Sequence, residues 1–317
     1  MGYIKKSLIG LLTAAMIYGS IQISKKPKYY FNFAREIYKI KFDLLFDNSP
    51  RINHDEIYID THMHIREPSC YKNGLEEIIS TAMEKVDAIV VMTHNTGAEK
   101  ELNYETFKKK VKEDSKYKVQ DYGKYIEIKT KDDRLIAIKA QEITSNEGRH
   151  VLAIGCDGLI RSSRSVEGTI DEIHKKNGIA IIAHPMSIET KECFFPYKLV
   201  DKEDMKSLEK VCYAADAIEE FNSQNYLWMF RSNVLADLFV KEHRAPGTAG
   251  SDTHFDLSQI GLSGIIVKTH LLDMNNLIED LRTVIRNKNF RIHKEYTDPV
   301  RFTKTIIIPF FERRNKK

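Results

Sequence analysis

Short runs of β-branched residues alternate with amphipathic segments along most of this chain. The strand-like runs include "EIYID" (56–60), "AIVVM" (88–92), "RLIAIKAQEI" (134–143), "IAIIA" (179–183) and "GIIV" (264–267). Between them, "GLEEIISTAMEKV", "VEGTIDEIHKKNG" and "NLIEDLRTVIRNK" repeat apolar residues at helical spacing. Regular alternation of strand and helix predicts a parallel α/β architecture. About seven repeats over roughly 240 residues favour a closed barrel over an open sheet.

The N-terminal segment has a different pattern from the rest of the chain. An almost uninterrupted apolar run of 16 residues, Leu8 to Ile23, lies between two pairs of lysines. Its length falls between a signal-peptide core and a transmembrane helix of about 20 residues. No clear cleavage site precedes Lys25, so we expect an uncleaved membrane anchor, with a removed signal or a buried helix as alternatives. Lysines on both sides leave the orientation open, so the protein is expected to be membrane-anchored or secreted.

These patterns divide the chain into four parts. Residues 1–26 form the hydrophobic segment, 27–50 a linker, 51–295 the α/β domain and 296–317 a basic tail. The 49 basic and 45 acidic residues leave a net charge of +4, which gives no specific nucleic-acid signal. The four cysteines form no CxxC pair, and no Gly-rich phosphate loop is present. The sequence does not indicate an oligomeric state.

Histidines collect at the ends of the predicted strands. Because residues just past the strands of a parallel barrel meet at one mouth, we expect these side chains to share one cavity. The turn "SNEG" can fold His150 back beside Glu142. The set consists of His62, His64, His94, Glu142, His150, His184, Asp252 and His254.

Six imidazoles and two carboxylates exceed what a single tetrahedral zinc ion can use. The set therefore predicts two or three divalent ions, and its donors suit Zn, Mn or Fe. Glu142, placed near the middle of the set, is the expected bridging carboxylate. Asp60 is expected to accept the free N–H of a ligating histidine.

The motifs resemble those of the PHP (polymerase and histidinol phosphatase) family of metal-dependent phosphoesterases. They run in the family's order over roughly residues 55–290: "DTHMH", "MTHNT", "QEIT" with "HVLAIG", "IIAHP" and "AGSDTH". "DAIEEFN" also resembles the strand that precedes the last motif. The resemblance implies a distorted, TIM-like (β/α)7 barrel of the PHP type.

The resemblance also implies how the ions are shared. One metal would be held by His62, His64, Glu142 and Asp252, the second by Glu142, His150 and His184, and the third by His94 and His254. Relatives continue the first motif to a Ser-Asp-Gly whose aspartate joins the third site. This chain has Ser69, Cys70 and Tyr71 there, so Cys70 is either a soft ligand or a spectator beside a weakly bound ion.

The implied activity is hydrolysis of a small-molecule phosphate ester, either a monoester or a diester, by a metal-bridging hydroxide. The residues expected to carry catalysis are Glu142, Asp252, His184 and Arg164. Arg164 stands for a group of arginines on loops beside the motifs that could bind the phosphate, the others being Arg66, Arg149 and Arg161.

Two alternatives remain open at this point. An amidohydrolase-like enzyme would act on C–N bonds and would use a bridging lysine, for which Lys139 is the candidate near Glu142. The other alternative is a membrane-tethered, non-catalytic metal-binding domain.

Overall fold

The computed structural model describes residues 49–65, 74–94, 103–162, 164–189, 197–225, 230–254 and 256–297. The predicted anchor, most of the predicted linker and nearly all of the basic tail lie outside these ranges, as do Arg66 and Cys70. Within the described residues, no helix combines the length and the hydropathy that crossing a membrane requires. The anchor therefore stays a prediction.

The described ranges contain thirteen strands and six α-helices. The strands are β1 Glu56–Asp60, β2 Ala88–Val91, β3 Lys118–Asp121, β4 Tyr125–Lys129, β5 Arg134–Thr144, β6 His150–Ile154, β7 Ile179–Ile182, β8 Ser187–Glu189, β9 Tyr197–Leu199, β10 Ala217–Asn222, β11 Gly247–Gly250, β12 Ser263–Lys268 and β13 Phe290–Lys294. The helices are α1 Leu75–Lys85, α2 Tyr104–Glu113, α3 Val166–Lys175, α4 Lys202–Val211, α5 Phe230–His243 and α6 Leu277–Arg286.

Seven of the strands form a nearly closed barrel in the order β11-β10-β7-β6-β5-β2-β1. The ring is completed beyond the strand ends, where Met63 and Thr253 form a parallel bridge and the His64 N–H donates to the Thr253 carbonyl at 2.9 Å. The Thr61 hydroxyl also donates to the Ala249 carbonyl at 2.9 Å. The predicted barrel is thus confirmed as a mixed α/β, barrel-like sheet.

One strand of the ring runs against the others, which corrects the expectation of a purely parallel sheet. Strand β6 is antiparallel to both β5 and β7, with Thr144 opposite His150. Only residues 145–149 connect β5 to β6, and a parallel crossover needs a dozen residues or more. The first residue of β6 therefore lies at the same mouth as the last residues of its neighbours.

The strands separate an inner from an outer core. Along β7, Ile179 and Ile181 belong to a buried cluster that also contains Leu281 and Ile285 of α6. The alternate residues Ala180 and Ile182 pack in a second cluster with α3, α4 and α5. A third cluster packs α1 and α2 against the same outer face, over β1, β2, β4 and the first half of β5. Alternation along each strand thus fixes which side chains face the inside of the barrel.

Four more strands extend the main sheet beyond the ring. β4 pairs with the first half of β5 and with β3, while β12 pairs with β1 and β13. β8 and β9 form a separate two-stranded sheet that follows the end of β7. Several helices begin with side-chain caps, among them α3, whose Ser165 hydroxyl accepts from the Gly168 N–H at 3.1 Å.

Candidate metal centre

All eight predicted ligands lie together at the mouth of the barrel. His62 and His64 follow β1, His94 follows β2, His184 follows β7 and Asp252 follows β11. Glu142 lies near the end of β5, His150 begins β6, and His254 lies two residues beyond Asp252. The ring of His64 stacks on the rings of both His94 and His254, with centroids 4.4 and 4.3 Å apart. The convergence expected from the strand ends is therefore present in the structure.

The carboxylate of Glu142 lies at the centre of the cluster. Glu142 is buried, and five histidine nitrogens lie within 3.6 Å of its oxygens: His150 Nδ1 at 2.5 Å, His94 Nε2 at 2.9 Å, His64 Nε2 at 3.0 Å, His184 Nε2 at 3.2 Å and His62 Nε2 at 3.6 Å. One carboxylate has four lone-pair sites, so it cannot balance five protonated imidazoles. Asp252, Glu219 and Glu189 lie against some of the same histidines, so the cluster combines imidazoles with carboxylates, which is the composition of a metal-binding site.

The electrostatics of the cluster follow from this crowding. Burial opposes ionisation of Glu142, but His150, His94 and His62 hold its pKa well below the usual range. Burial likewise disfavours the charged form of His150, yet Glu142 and Glu189 raise its pKa to about 9. A metal ion would therefore have to displace a proton from His150 when it binds.

Three sets of donor atoms in the described residues are close enough to hold an ion each. They are His62, His64 and Asp252; His94, Glu142 and His150; and His64, His94 and His254. The first set matches the first implied site without Glu142. The second has His94 where the resemblance implies His184, and the third adds His64. Because His64 and His94 each belong to two sets, the donors fit two ions, and a third only if His184 replaces His94 in the second set.

Glu219 is a functional residue that the sequence analysis missed. Its side chain is buried, and its Oε1 accepts from His62 Nδ1 at 2.9 Å. Its Oε2 accepts from the His184 N–H at 2.7 Å and from Asn222 Nδ2 at 3.0 Å. Glu219 therefore leaves Nε2 of His62 as the metal-facing nitrogen.

The role expected of Asp60 was wrong. Its Oδ1 accepts from the backbone N–H groups of Ser251 at 3.1 Å and His62 at 3.3 Å, and its Oδ2 accepts from the Gly261 N–H at 3.0 Å. Burial nevertheless raises the pKa of Asp60 to about 6, against these hydrogen bonds. Asp60 thus ties the β1 and β11 loops together, while Glu219 binds the imidazole.

The backbone is strained at two of the ligands. His184 and Asp252 have φ angles of +25° and +52°, a region that non-glycine residues rarely occupy. Asp252 is held by Asn222, whose Nδ2 donates to its Oδ2 at 3.0 Å. Gly250 packs closely against His62, because a Cβ atom at position 250 would lie 2.3 Å from the His62 Cβ. The surrounding contacts thus fix ligand positions that the backbone alone would disfavour.

The predicted phosphate-binding arginines do not join the cluster in the described residues. Arg149 is buried, and its guanidinium donates to the carbonyls of Pro185, at 2.6 Å, and Asp204. Arg164 is exposed, and its Nη2 lies 3.8 Å from Glu172 Oε2 on α3. Arg161 is also exposed. The assignment of Arg164 to catalysis is therefore not supported by its contacts, because loop position in the sequence does not set side-chain direction.

Lys139 does not face the cluster either. It lies three residues before Glu142 on β5 and therefore on the opposite face of the strand. Its Nζ lies 3.4 Å from Glu105 Oε1 on α2. The amidohydrolase alternative, which needs a bridging lysine, is not favoured.

Comparisons with known proteins agree with the fold. No protein-family model matches the chain, and no curated protein matches it. The structure is similar to the crystal structure of a two-domain protein from Bacteroides vulgatus that contains a predicted PHP-like metal-dependent phosphoesterase. The sequence identity is 14%, the TM-score is 0.50, and the match covers 84% of this chain and 74% of the other.

A lesion-specific endonuclease, Endonuclease Q from Pyrococcus furiosus, matches at 15% identity and a TM-score of 0.43, over 75% of this chain and 57% of the other. The resemblance predicted from the motifs is confirmed at the level of the fold by the Bacteroides structure. Because a fold hosts many chemistries, the function has to be argued from the site.

Proposed function

We propose that this chain, which has the fold of a PHP-like phosphoesterase, is a metal-dependent hydrolase of a phosphate ester. The observation that carries the proposal is the arrangement of five histidine nitrogens around the buried carboxylate of Glu142. A buried cluster of imidazoles and carboxylates with donor atoms this close together is typical of a metal-binding site.

The residues at the mouth would hold the ions. His62, His64 and Asp252 would hold one, and Glu142 and His150 would hold another together with His94 or His184. If His184 completes the second set, His94 and His254 remain available for a third ion. Bound divalent ions lower the pKa of water toward about 7 and neutralise charge on phosphoryl oxygens, which is the chemistry that ester hydrolysis needs. Zn, Mn and Fe all suit these donors.

The remaining features of the mouth orient this set of donors. Glu142 supplies a carboxylate oxygen to each side of the cluster, because Oε1 faces His150 and Oε2 faces His64. Glu219 and Asn222 fix the orientations of His62 and Asp252 by hydrogen bonds. The buried positions of His62, His64 and Glu142 keep bulk water away from the donor atoms. The ligands are thus positioned before substrate arrives, which lowers the reorganisation that the reaction requires.

The test is elemental analysis of the purified full-length chain together with hydrolysis assays on p-nitrophenyl phosphate and bis-p-nitrophenyl phosphate. We expect two or three equivalents of divalent metal, and turnover of at least one ester that a chelator abolishes and added metal restores. The two esters separate a monoesterase from a diesterase. Bound metal without turnover of phosphate esters would contradict the proposed activity and favour a non-catalytic metal-binding domain.

A further inference from the structure

The side chain of Glu189 lies beside the metal centre although no sequence motif includes it. It follows His184 by five residues, on strand β8 of the small sheet outside the barrel. Its Oε2 is 3.3 Å from His150 Nε2. The same imidazole has its Nδ1 2.5 Å from Glu142 Oε1. His150 thus lies between two carboxylates, one on each ring nitrogen.

Glu189 is held at this position by the backbone around it. The Glu189 N–H donates to the Gly148 carbonyl at 2.8 Å, which joins β8 to the turn between β5 and β6. Gly148 has φ +73°, and a Cβ atom there would lie 2.3 Å from the Glu189 carbonyl oxygen. The neighbouring Ser187 donates its N–H to the His184 carbonyl at 2.9 Å, and its hydroxyl lies 2.9 Å from that of Ser232. The carboxylate is therefore placed by a fixed strand.

The two ring nitrogens of His150 face different surroundings. Nδ1 points toward Glu142, the side on which Nε2 of His64, His94 and His184 also gather. Nε2 points away from that centre, toward Glu189. His62 shows the reverse arrangement, since its Nδ1 meets Glu219 and its Nε2 faces the centre. A histidine that binds a metal through one nitrogen usually donates the other N–H to a carboxylate or carbonyl.

We propose that Glu189 is a positioning residue, which fixes the tautomer of His150 so that His150 binds its metal through Nδ1 while the other ligands named above use Nε2. This inference rests on the metal-binding part of the proposed function and not on the ester hydrolysed. The Glu189 side chain is 44% exposed, whereas that of Glu219 is fully buried. Glu189 can therefore be changed without leaving a buried charge unpaired.

Zinc binding to Glu189→Ala and Glu189→Gln tests the proposal. We expect Glu189→Ala to bind one zinc ion about 10- to 100-fold more weakly than the wild type, in competition with a chelator of known affinity. Glu189→Gln keeps an oxygen that can accept from Nε2 but lacks the charge. Its zinc affinity is therefore expected to lie between those of the wild type and Glu189→Ala. Glu203→Ala, which removes an exposed carboxylate from α4, should bind zinc like the wild type.

Two further measurements separate positioning from a general loss of structure. The melting temperature of the metal-free Glu189→Ala protein should stay within a few degrees of that of the metal-free wild type, because the lost contact to His150 involves a half-exposed carboxylate. Long-range proton–nitrogen NMR of the zinc-loaded wild type, assigned with His150→Gln, should show a proton on Nε2 of His150 and zinc on Nδ1. Zinc on Nε2, or unchanged zinc affinity in Glu189→Ala, would overturn the proposal.

These readouts do not depend on the ester assays. If the wild type binds zinc and hydrolyses no phosphate ester, the proposed activity fails while the role of Glu189 can still be measured. If the wild type hydrolyses esters and Glu189→Ala binds zinc normally, only the role of Glu189 fails.

Discussion

Two buried carboxylates at opposite ends of the barrel have opposite surroundings. Asp216 precedes β10, and its Oδ2 accepts from the Ala180 N–H at 2.7 Å and from His174 Nε2 at 3.0 Å. Its Oδ1 accepts from Arg286 Nε. Three donors therefore meet one carboxylate, and all three can donate to it at the same time.

Glu142 at the mouth has five imidazole nitrogens in place of such a balanced set. Imidazoles crowded together repel one another when they are protonated, and each has only one N–H donor when it is neutral. The difference indicates that the Asp216 cluster stabilises the fold by itself, while the Glu142 cluster has the composition of a metal-binding site. Buried ionisable groups thus identify a functional site by the mismatch of donors and acceptors, and burial alone does not.

The largest expected effect comes from Glu142→Gln. The amide cannot bridge cations, so we expect loss of bound metal and a fall in kcat/KM of roughly a thousandfold or more, since metal ions supply several kcal/mol. Elemental analysis and initial rates on the two p-nitrophenyl esters measure both. A chelator should lower the melting temperature of the wild type and leave that of the variant unchanged. Full hydrolysis with normal metal content would show that Glu142 does not hold the metal.

Glu219→Gln is expected to have the next largest effect. The amide weakens the hydrogen bond to His62 Nδ1 and changes the contacts to His184 and Asn222, so metal affinity should fall about 10- to 100-fold. Chelator competition measures it. Glu220→Gln is a matched control, because this adjacent carboxylate pairs with Lys294 at 2.5 Å on the other face of β10. Equal losses in both variants would show that the effect is not specific to the mouth.

The contrast between these neighbours also shows what the sequence can predict. The motif "DAIEEFN" indicates a strand before the last ligands, yet it does not say which of its two glutamates faces inward. Ala217 lies in the inner cluster, and alternation from it places Glu219 inside, but only the packed barrel establishes that face. The eight candidate ligands could be predicted because they lie at or near strand ends, whose position at the mouth is fixed by topology.

Other features had weaker signals in the sequence. Strand β3, "KVQD", is short and polar, and it forms only because β4 supplies a partner. The direction of β6 depends on the length of one turn. The buried course of Arg149 depends on carbonyl groups of Pro185 and Asp204, 36 and 55 residues away in sequence. Long-range backbone partners of this kind leave no local pattern.

At the other end of the barrel, Asp216→Asn should affect stability and leave the metal unchanged. The amide replaces an acceptor by a donor that faces existing donors, so we expect a loss of about 1–3 kcal/mol in the free energy of unfolding. Urea denaturation measures the change, and elemental analysis should give the wild-type metal content. Loss of metal in Asp216→Asn would show that the two ends are coupled, contrary to the comparison.

The stability difference caused by Asp216→Asn should depend on pH in one direction. Burial raises the pKa of Asp216, but His174, the Ala180 N–H and Arg286 lower it below the usual aspartate value. A depressed folded-state pKa contributes stability that is present above the unfolded-state pKa of about 3.9 and is lost as pH falls through the folded-state pKa. The difference between wild type and variant should therefore be constant near neutral pH and shrink below about pH 4. Metal-free protein is used for both, so that metal release does not contribute.

Arg164→Ala is expected to have the smallest effect. Its exposed guanidinium already has a partner in Glu172, at 3.8 Å, and surface ion pairs contribute about 0–1 kcal/mol. Both KM and kcat for the p-nitrophenyl esters should stay within about twofold of the wild type, because the contact that is lost is a surface ion pair away from the cluster. Glu172→Ala should behave in the same way, since it removes the other half of the pair. A rise in KM confined to Arg164→Ala would restore its predicted role in phosphate binding, because a side chain balanced by Glu172 alone has no reason to affect substrate.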